Sequence, residues 1–188
     1  MAVEDNKKHD EAEIKRVLEG GVEAARARDI DGVMSIYAPE LVSFDLVPPL
    51  RYVGADAYRK RWEEVFSSFQ GPIGYEMHDL DIITGDDVAF GHSLNRLSGT
   101  LNTGQKIDLW VRLTACLRKI DGQWLIVHTQ VSVPVDLGNG KAVLSLKPCH
   151  GMFRQQPGTR GEQLVTGRHV TPHLLTHLAY PEGVKPFR

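Results

Sequence analysis

Asp45 is the side chain in this sequence best placed to act as a general base or acid. It lies in a short extended run, Leu41 to Leu46, just before the rigid pair Pro48-Pro49. Inside an apolar cavity, desolvation would favour its protonated form and suit it to proton transfer. An aspartate before a proline loop can equally be a turn residue that accepts backbone hydrogen bonds. Both interpretations of Asp45 stay open.

A second polar group follows strand alternation further along the chain. On one strand, alternation places five side chains on the same face: Asp108, Trp110, Arg112, Thr114 and Cys116. On the next strand, three side chains share a face: His128, Gln130 and Ser132. Arg112 inside a sheet needs an anionic partner, either a carboxylate such as Asp108 or Asp45 or the anionic group of a ligand. His128 is either a proton-transfer group with Gln130 orienting the substrate, or a hydrogen-bonded core histidine. We predict Asp45, His128 and Arg112 as catalytic residues.

Aromatic and polar side chains from several elements complete the predicted pocket. Trp62 and Trp110 could form flat walls for a ring-shaped ligand, although Trp62 could equally pack in the core. His92, on the preceding strand, is a further pocket candidate. The predicted ligand-binding residues are Tyr37, Trp62, His92, Asp108, Trp110, Thr114 and Gln130.

The sequence predicts neither a cofactor nor a metal site. His128 and Gln130 do not make a ligand set without His92 as a second imidazole. Near the C-terminus, three histidines at helical spacing fit a metal site or an incidental solvated stripe: His169, His173 and His177. A Gly-rich phosphate loop, a serine nucleophile elbow and a Cys-x-x-Cys pair do not occur, which argues against nucleotide hydrolysis, serine-hydrolase and zinc-ribbon functions.

Hydrophobic periodicity predicts three helices followed by a long-stranded sheet. The helices are expected at Glu11 to Ala27, at a short segment capped by Asp29 with Tyr37 on its inward side, and at about Ala55 to Phe69. Apolar runs separated by short turns predict strands at 75–83, 88–101, 106–119 and 123–135. Such long strands must twist and coil, so we predict an α+β fold with an antiparallel meander.

Composition places the chain among ordinary globular proteins. Its 188 residues suit one domain, and residues 149–188 form a basic tail rich in His, Pro and Gly. A net charge of -2 gives no reason to bind nucleic acid. Two cysteines are too few for a disulfide scaffold, and neither a signal peptide nor a membrane span stands out, so we expect a cytoplasmic protein.

Three sequence strings, in this order, resemble the nuclear transport factor 2-like superfamily, and more closely its SnoaL-like and ketosteroid-isomerase-like branch. They are "DIDGVMSIYAPELVSFD", "GADAYRKRW" and "WVRLTACLRKIDGQWLIVHTQVSVPVD". The last is also similar to the association domain of calmodulin-dependent kinases. The resemblance covers residues 10–148. It implies a cone in which a curved antiparallel sheet wraps around three N-terminal helices, an apolar pocket, and a homodimer formed through the sheet.

The resemblance also bears on the chemistry. In ketosteroid isomerases the proton-shuttling aspartate lies eight positions beyond a tyrosine of the short helix, and Tyr37 and Asp45 have that spacing. The family's oxyanion acid would fall near Thr114, and its oxyanion tyrosine on the first helix, but neither is present here. We predict a cofactor-independent SnoaL-like enzyme of isomerase, cyclase or hydratase/hydrolase type, acting on a small hydrophobic or carboxylate-bearing carbonyl or epoxide. The alternative is a non-catalytic ligand-binding or oligomerising association module.

Overall fold

The computed structural model describes residues 2–148, with side chains from residue 6 onward. The C-terminal segment predicted as a tail, with its three spaced histidines, lies outside the described residues. The helices are α1 (Ala2–Ala27), α2 (Ile30–Met34) and α3 (Ala55–Ser68). The strands are β1 (Tyr37–Phe44), β2 (Tyr52–Val53), β3 (Phe69–Thr84), β4 (Val88–Leu101), β5 (Lys106–Ile120), β6 (Gln123–Ser132), β7 (Val135–Asp136) and β8 (Lys141–Ala142).

The main sheet has six strands in the order β2-β1-β6-β5-β4-β3, and β7 and β8 form a separate hairpin. The predicted antiparallel meander from β3 to β6 is confirmed. At the turn between β5 and β6, Asp121 and Gly122 both have positive φ, 49° and 82°, as a two-residue type I′ turn requires. One prediction is incomplete: β1 pairs parallel to β6, so the sheet is mixed rather than purely antiparallel.

Three element boundaries differ from the sequence prediction. α1 begins at Ala2 rather than at Glu11. α2 ends at Met34, so Tyr37 begins strand β1 instead of lying on a helix. β3 begins at Phe69, and its pairing with β4 is interrupted twice by register shifts. Irregularities of this kind bend a strand, which lets the long sheet curve around the helices.

The two faces of the sheet have different surroundings. We call the face that packs against α1 and α3 the inner face and the opposite one the outer face. On β5 the inner side chains Val111, Ala115 and Leu117 are buried, whereas Arg112 and Arg118 on the outer face are exposed. Ile14 and Leu18 of α1 belong to the same core cluster as Leu117. The helices of the described residues therefore pack on one face of the sheet only.

A buried aspartate ties α1 to the sheet. Asp10 is 8% exposed, and its Oδ1 accepts hydrogen bonds from Lys119 Nζ at 2.7 Å and from Trp124 Nε1 at 3.1 Å. These bonds hold the pKa of Asp10 below its usual value, with the Lys119 bond as the largest cause. Trp124 is 1% exposed, so the contact joins α1 directly to the core.

Between residues 2 and 148, no helix is both long enough and apolar enough to span a bilayer.

Candidate functional site

A cavity of about 120 Å³ lies between the helices and the inner face of the sheet. An engineered cavity of about 150 Å³ admits benzene, so this one suits a fragment of about one ring. It is lined mostly by apolar and aromatic side chains, with a few polar groups: Asp45, Arg61, Asn95 and Thr129. Leu46 is the exposed residue among those lining it, so the opening lies beside Asp45. An apolar lining with a few polar groups is the composition expected of a small-molecule site.

Asp45 follows the last residue of β1 and is held at the cavity by two donors. Arg61 Nε of α3 donates to its Oδ2 at 2.9 Å, and the backbone N–H of Leu46 donates to its Oδ1 at 2.5 Å. The two charged side chains are 11% and 18% exposed, so the ion pair is largely shielded from water. A carboxylate keeps further lone pairs after two such bonds, and these can accept a proton from a ligand.

Three tyrosines surround the cavity. The rings of Tyr37 and Tyr58 meet edge to face with centroids 5.2 Å apart. Burial raises the pKa of Tyr37 well above its usual value, and burial is also the main cause of the raised pKa of Tyr58. Burial raises the pKa of Tyr75 to about 12. All three hydroxyls are therefore neutral donors at neutral pH.

A chain of hydrogen bonds on the inner face ends at one of these tyrosines. Ser93 Oγ donates to Asn95 Oδ1 at 2.8 Å, and Asn95 Nδ2 donates to Tyr75 Oη at 3.0 Å. Ser93 and Asn95 are 5% and 1% exposed. Because the Tyr75 oxygen accepts this bond, its own hydrogen can be donated into the cavity.

Trp62 brings a further donor to the same wall. Its Nε1 is buried and has no hydrogen-bond partner among the residues that the structure describes. The indole lies close enough to the Tyr37 hydroxyl to lower the pKa of that tyrosine, but the two atoms do not meet hydrogen-bond geometry. The Trp62 and Tyr75 rings are 6.2 Å apart and nearly perpendicular. A buried donor left without an acceptor is costly, so this N–H is available to an acceptor that enters the cavity.

Of the predicted site residues, the structure places three at this cavity: Tyr37, Asp45 and Trp62. Arg112 and His128, which were predicted to share the pocket with Asp45, are not among the residues that line this cavity. Arg112, Thr114 and their neighbours are indeed aligned with β6 as expected, through the pairs Arg112–Ser132, Thr114–Gln130 and Cys116–His128. That aligned set lies on the outer face, because the alternate residues of β5 fill the core.

Four of the outer-face candidates have local contacts there. Asp108 accepts hydrogen bonds from Arg96 at 2.7 and 3.0 Å, so it is not bound to Arg112, which was one of the possibilities that the sequence left open. The remaining contacts are His92 Nε2 with Asp81 Oδ2 at 3.4 Å, the Trp110 ring with His78, and His128 Nδ1 donating to Val42 O at 2.8 Å. Arg112 is exposed and forms no ion pair within the described part of the chain. These side chains do not reach the cavity.

Several residues of the cavity were not predicted as site residues. On α3, Tyr58 lies three residues before Arg61 and four before Trp62, so helical spacing could have indicated both residues. Tyr75 and Asn95 could have been found from the alternation of β3 and β4, where they share the inner face through the pairs Tyr75–Leu97 and Met77–Asn95. Within residues 6–148, no cluster of three His, Cys, Asp or Glu side chains has the geometry of a metal site.

Comparison with known proteins shows the family to which this chain belongs. A family model described as a SnoaL-like domain matches residues 14–136. A solved NTF2-like protein of unknown function from Pseudomonas putida KT2440 is 33% identical with a TM-score of 0.70, and the match covers 75% of this chain and 98% of that one. A comparison with curated proteins found no match.

Two more distant structures share the fold. One is a ketosteroid isomerase-like protein from Erwinia carotovora atroseptica SCRI1043, at 24% identity and a TM-score of 0.57, covering 64% of this chain and 93% of that one. The other, from Xanthomonas campestris, is proposed to be a calcium/calmodulin-dependent protein kinase II association domain, at 21% identity and a TM-score of 0.56, covering 64% and 84%. With its cavity enclosed by three helices and a mixed curved sheet, this chain belongs to the SnoaL-like family of the NTF2-like superfamily.

Proposed function

We propose that this protein is a cofactor-independent enzyme that moves a proton on a small carbonyl compound, with Asp45 as the proton-transfer group. The observation that carries the proposal is a shielded carboxylate at the mouth of an apolar cavity that also contains neutral hydroxyl donors. A carboxylate positioned by hydrogen bonds in such a site can act as a general base.

The proposed step is balanced within the substrate and Asp45. The carboxylate takes a proton from the carbon next to the carbonyl, and the electron pair of that C–H bond moves onto the carbonyl oxygen to give an enolate. Where a carbon–carbon double bond lies next to the deprotonated carbon, the anion is a dienolate, and the protonated Asp45 returns the proton to its far carbon, which moves the double bond into conjugation with the carbonyl and isomerises the substrate. Arg61 holds the carboxylate in place through its 2.9 Å bond.

The cavity volume limits the substrate. At about 120 Å³ it accommodates roughly one ring, so a four-ring steroid would fit only if the site widened. Its lining is largely apolar, which favours a substrate with few polar groups besides the carbonyl. We therefore propose small cyclic or short-chain ketones as the substrate class.

Exchange of carbon-bound hydrogen tests this function before the natural substrate is known. Small cyclic ketones are incubated with the protein in heavy water, and deuterium incorporation next to the carbonyl is followed by proton NMR. We expect catalysed exchange, and a reduction on the order of 10²- to 10⁴-fold in Asp45→Asn. The matched control is Asp81→Asn, which removes an acid that is 64% exposed on the outer face. Equal rates in wild type and Asp45→Asn would contradict the proposal.

A binding function without turnover is the second candidate. It is favoured by the state of Asp45, because both carboxylate oxygens already accept hydrogen bonds from Arg61 and Leu46. In that case small ketones or phenols would bind stoichiometrically, and no exchange would be detected with any ketone of the panel.

The outer face of the sheet supports a proposal about assembly. It carries apolar side chains that are 40–54% exposed: Phe44, Ile83, Val88 and Phe90. Burying such residues against a second copy would remove apolar surface from water. We expect a homodimer through this face in sedimentation experiments, and Phe90→Lys should yield monomers. A wild-type chain that sediments as a monomer at all concentrations would contradict it.

A further inference from the structure

The cavity contains hydrogen-bond donors that the proposed proton-transfer step does not use. Asp45 and Arg61 bind each other beside the exposed Leu46, while the Tyr75 hydroxyl and the Trp62 indole have no partner among the described residues that uses their hydrogens. The oxyanion acid and tyrosine implied by the family resemblance are absent from this chain. A carbonyl oxygen that gains charge would therefore need different donors.

The direction of the hydrogen bonds supplies the first donor. Ser93 donates to Asn95, and Asn95 donates to Tyr75, so each bond leaves the next group a better donor. The chain ends at the Tyr75 hydroxyl, whose hydrogen has no acceptor among the described side chains. The Tyr58 hydroxyl, in contrast, has polar neighbours of its own. It lies close to Ser43, Thr129 and Tyr37, which all affect its pKa.

The second donor is the Trp62 indole. Its Nε1 is buried, lacks an acceptor among the described residues, and belongs to a ring that packs against Tyr75. Two neutral donors on one apolar wall are the arrangement that stabilises a developing oxyanion, because a low-dielectric site strengthens both bonds. A ligand oxygen has at least two lone pairs and can therefore accept from both donors at once.

We infer that Tyr75 and Trp62 form a paired donor site for one oxygen of a ketone, enolate or phenol ligand, with Asn95 and Ser93 as positioning residues behind Tyr75. This inference rests on the proposed function, since it assigns the oxygen end of the same ligand. It makes the ligand class more specific: a flat molecule of about one ring that carries an oxygen acceptor.

The test uses the ionisation of a bound probe. Para-fluorophenol resembles an enolate when ionised, and its fluorine NMR signal distinguishes the phenol from the phenolate. It is titrated while bound to the full chain carrying Asp45→Asn, in which the neighbouring carboxylate is neutral. Hydrogen bonds to a charged oxygen stabilise it enough that losing one should weaken phenolate binding by about ten- to hundredfold. In Tyr75→Phe and in Trp62→Phe the bound probe should therefore ionise at a pH higher by roughly one to two units.

Two controls separate the donor effect from altered packing. Para-fluorotoluene has nearly the same shape without the oxygen, and its affinity should be the same in all these variants. Tyr52→Phe removes a hydroxyl that donates to Pro48 O outside the cavity and should leave the phenol titration unchanged. Ser93→Ala should raise the ionisation pH by less than Tyr75→Phe, because it removes only the far end of the chain.

The inference is overturned if para-fluorophenol does not bind, or if Tyr75→Phe and Trp62→Phe weaken phenol and toluene binding equally. If either variant fails to fold, the other and Ser93→Ala still decide the question through the same titration. Failure of the proposed function is a different result: ketones then show no deuterium exchange, while the phenol titration still responds to Tyr75→Phe.

Discussion

The inner and outer faces of the sheet hold similar side chains and differ in what surrounds them. The inner face includes Asn95 and Tyr75, which line a largely apolar cavity next to an aspartate–arginine pair. The outer face includes His128, Gln130 and Arg112, which would look like a catalytic group on chemistry alone. Only the inner group is enclosed by helices. Reactive residue types therefore indicate a site only when the fold also excludes water around them.

The largest difference between the faces is expected in turnover. Asp45→Asn should lower the rate of deuterium exchange by about 10²- to 10⁴-fold, because the proton acceptor is removed while the shape of the cavity is kept. NMR-detected exchange measures this directly. A stronger effect of His128→Gln than of Asp45→Asn would move the chemistry to the outer face.

Stability should differ between two neighbouring residues of β5. Leu117 is 1% exposed on the inner face, so Leu117→Ala should cost about 2–5 kcal/mol through lost burial and a new cavity. Arg118→Ala, on the outer face, should stay within about 0.5 kcal/mol of wild type. Urea unfolding followed by circular dichroism measures both. Equal losses would mean that the assignment of the two faces is wrong.

Asp10 provides a smaller effect with a pH signature. Asp10→Ala should cost about 1–3 kcal/mol, because it leaves the buried Trp124 Nε1 without its acceptor. The pKa of Asp10 is lowered in the folded state, mainly by the hydrogen bond from Lys119. Its stabilisation is therefore complete above the ordinary pKa and is lost as the pH falls through the folded pKa.

The measurement for Asp10 is urea unfolding at several pH values. The gap between wild type and Asp10→Ala should narrow toward acid pH, whereas Glu11→Ala, at the exposed neighbour, should behave as wild type throughout. A gap that widens in acid would contradict this account of Asp10.

The smallest effects should come from the outer face. Arg112→Gln and His128→Gln should change the exchange rate by no more than about twofold, because surface substitutions remote from a site alter free energies by about 0.5 kcal/mol or less. The same NMR assay applies. A tenfold loss in either variant would show that the cavity depends on this face.

The sequence predicted most helices and strands, but only some of the residues that line the cavity. Alternation along β5 correctly grouped Arg112 with Thr114 and aligned them with Gln130, because side-chain period follows directly from strand geometry. Which group faces the core depends on what covers the sheet. The buried set, Val111, Ala115 and Leu117, was the better guide, since hydrophobicity and not reactivity decides burial.

The remaining site residues depend on long-range geometry. Arg61 binds Asp45 because α3 packs across the end of β1, and no local pattern contains that contact. The pairing of β5 with β6 shifts by one residue between Cys116 and Leu117, so that Cys116 pairs with His128 while Leu117 pairs with Ile126. Simple alternation from Trp124 therefore does not predict which face His128 occupies. Such irregularities are set by how the sheet curves around its helices.

The most direct measurement is a crystal structure of the chain with para-fluorophenol bound. The account predicts the phenol oxygen within hydrogen-bonding distance of Tyr75 Oη and Trp62 Nε1, with the ring inside the cavity next to Asp45. Electron density for the probe on the outer face, beside Arg112 and His128 and with an empty cavity, would contradict it.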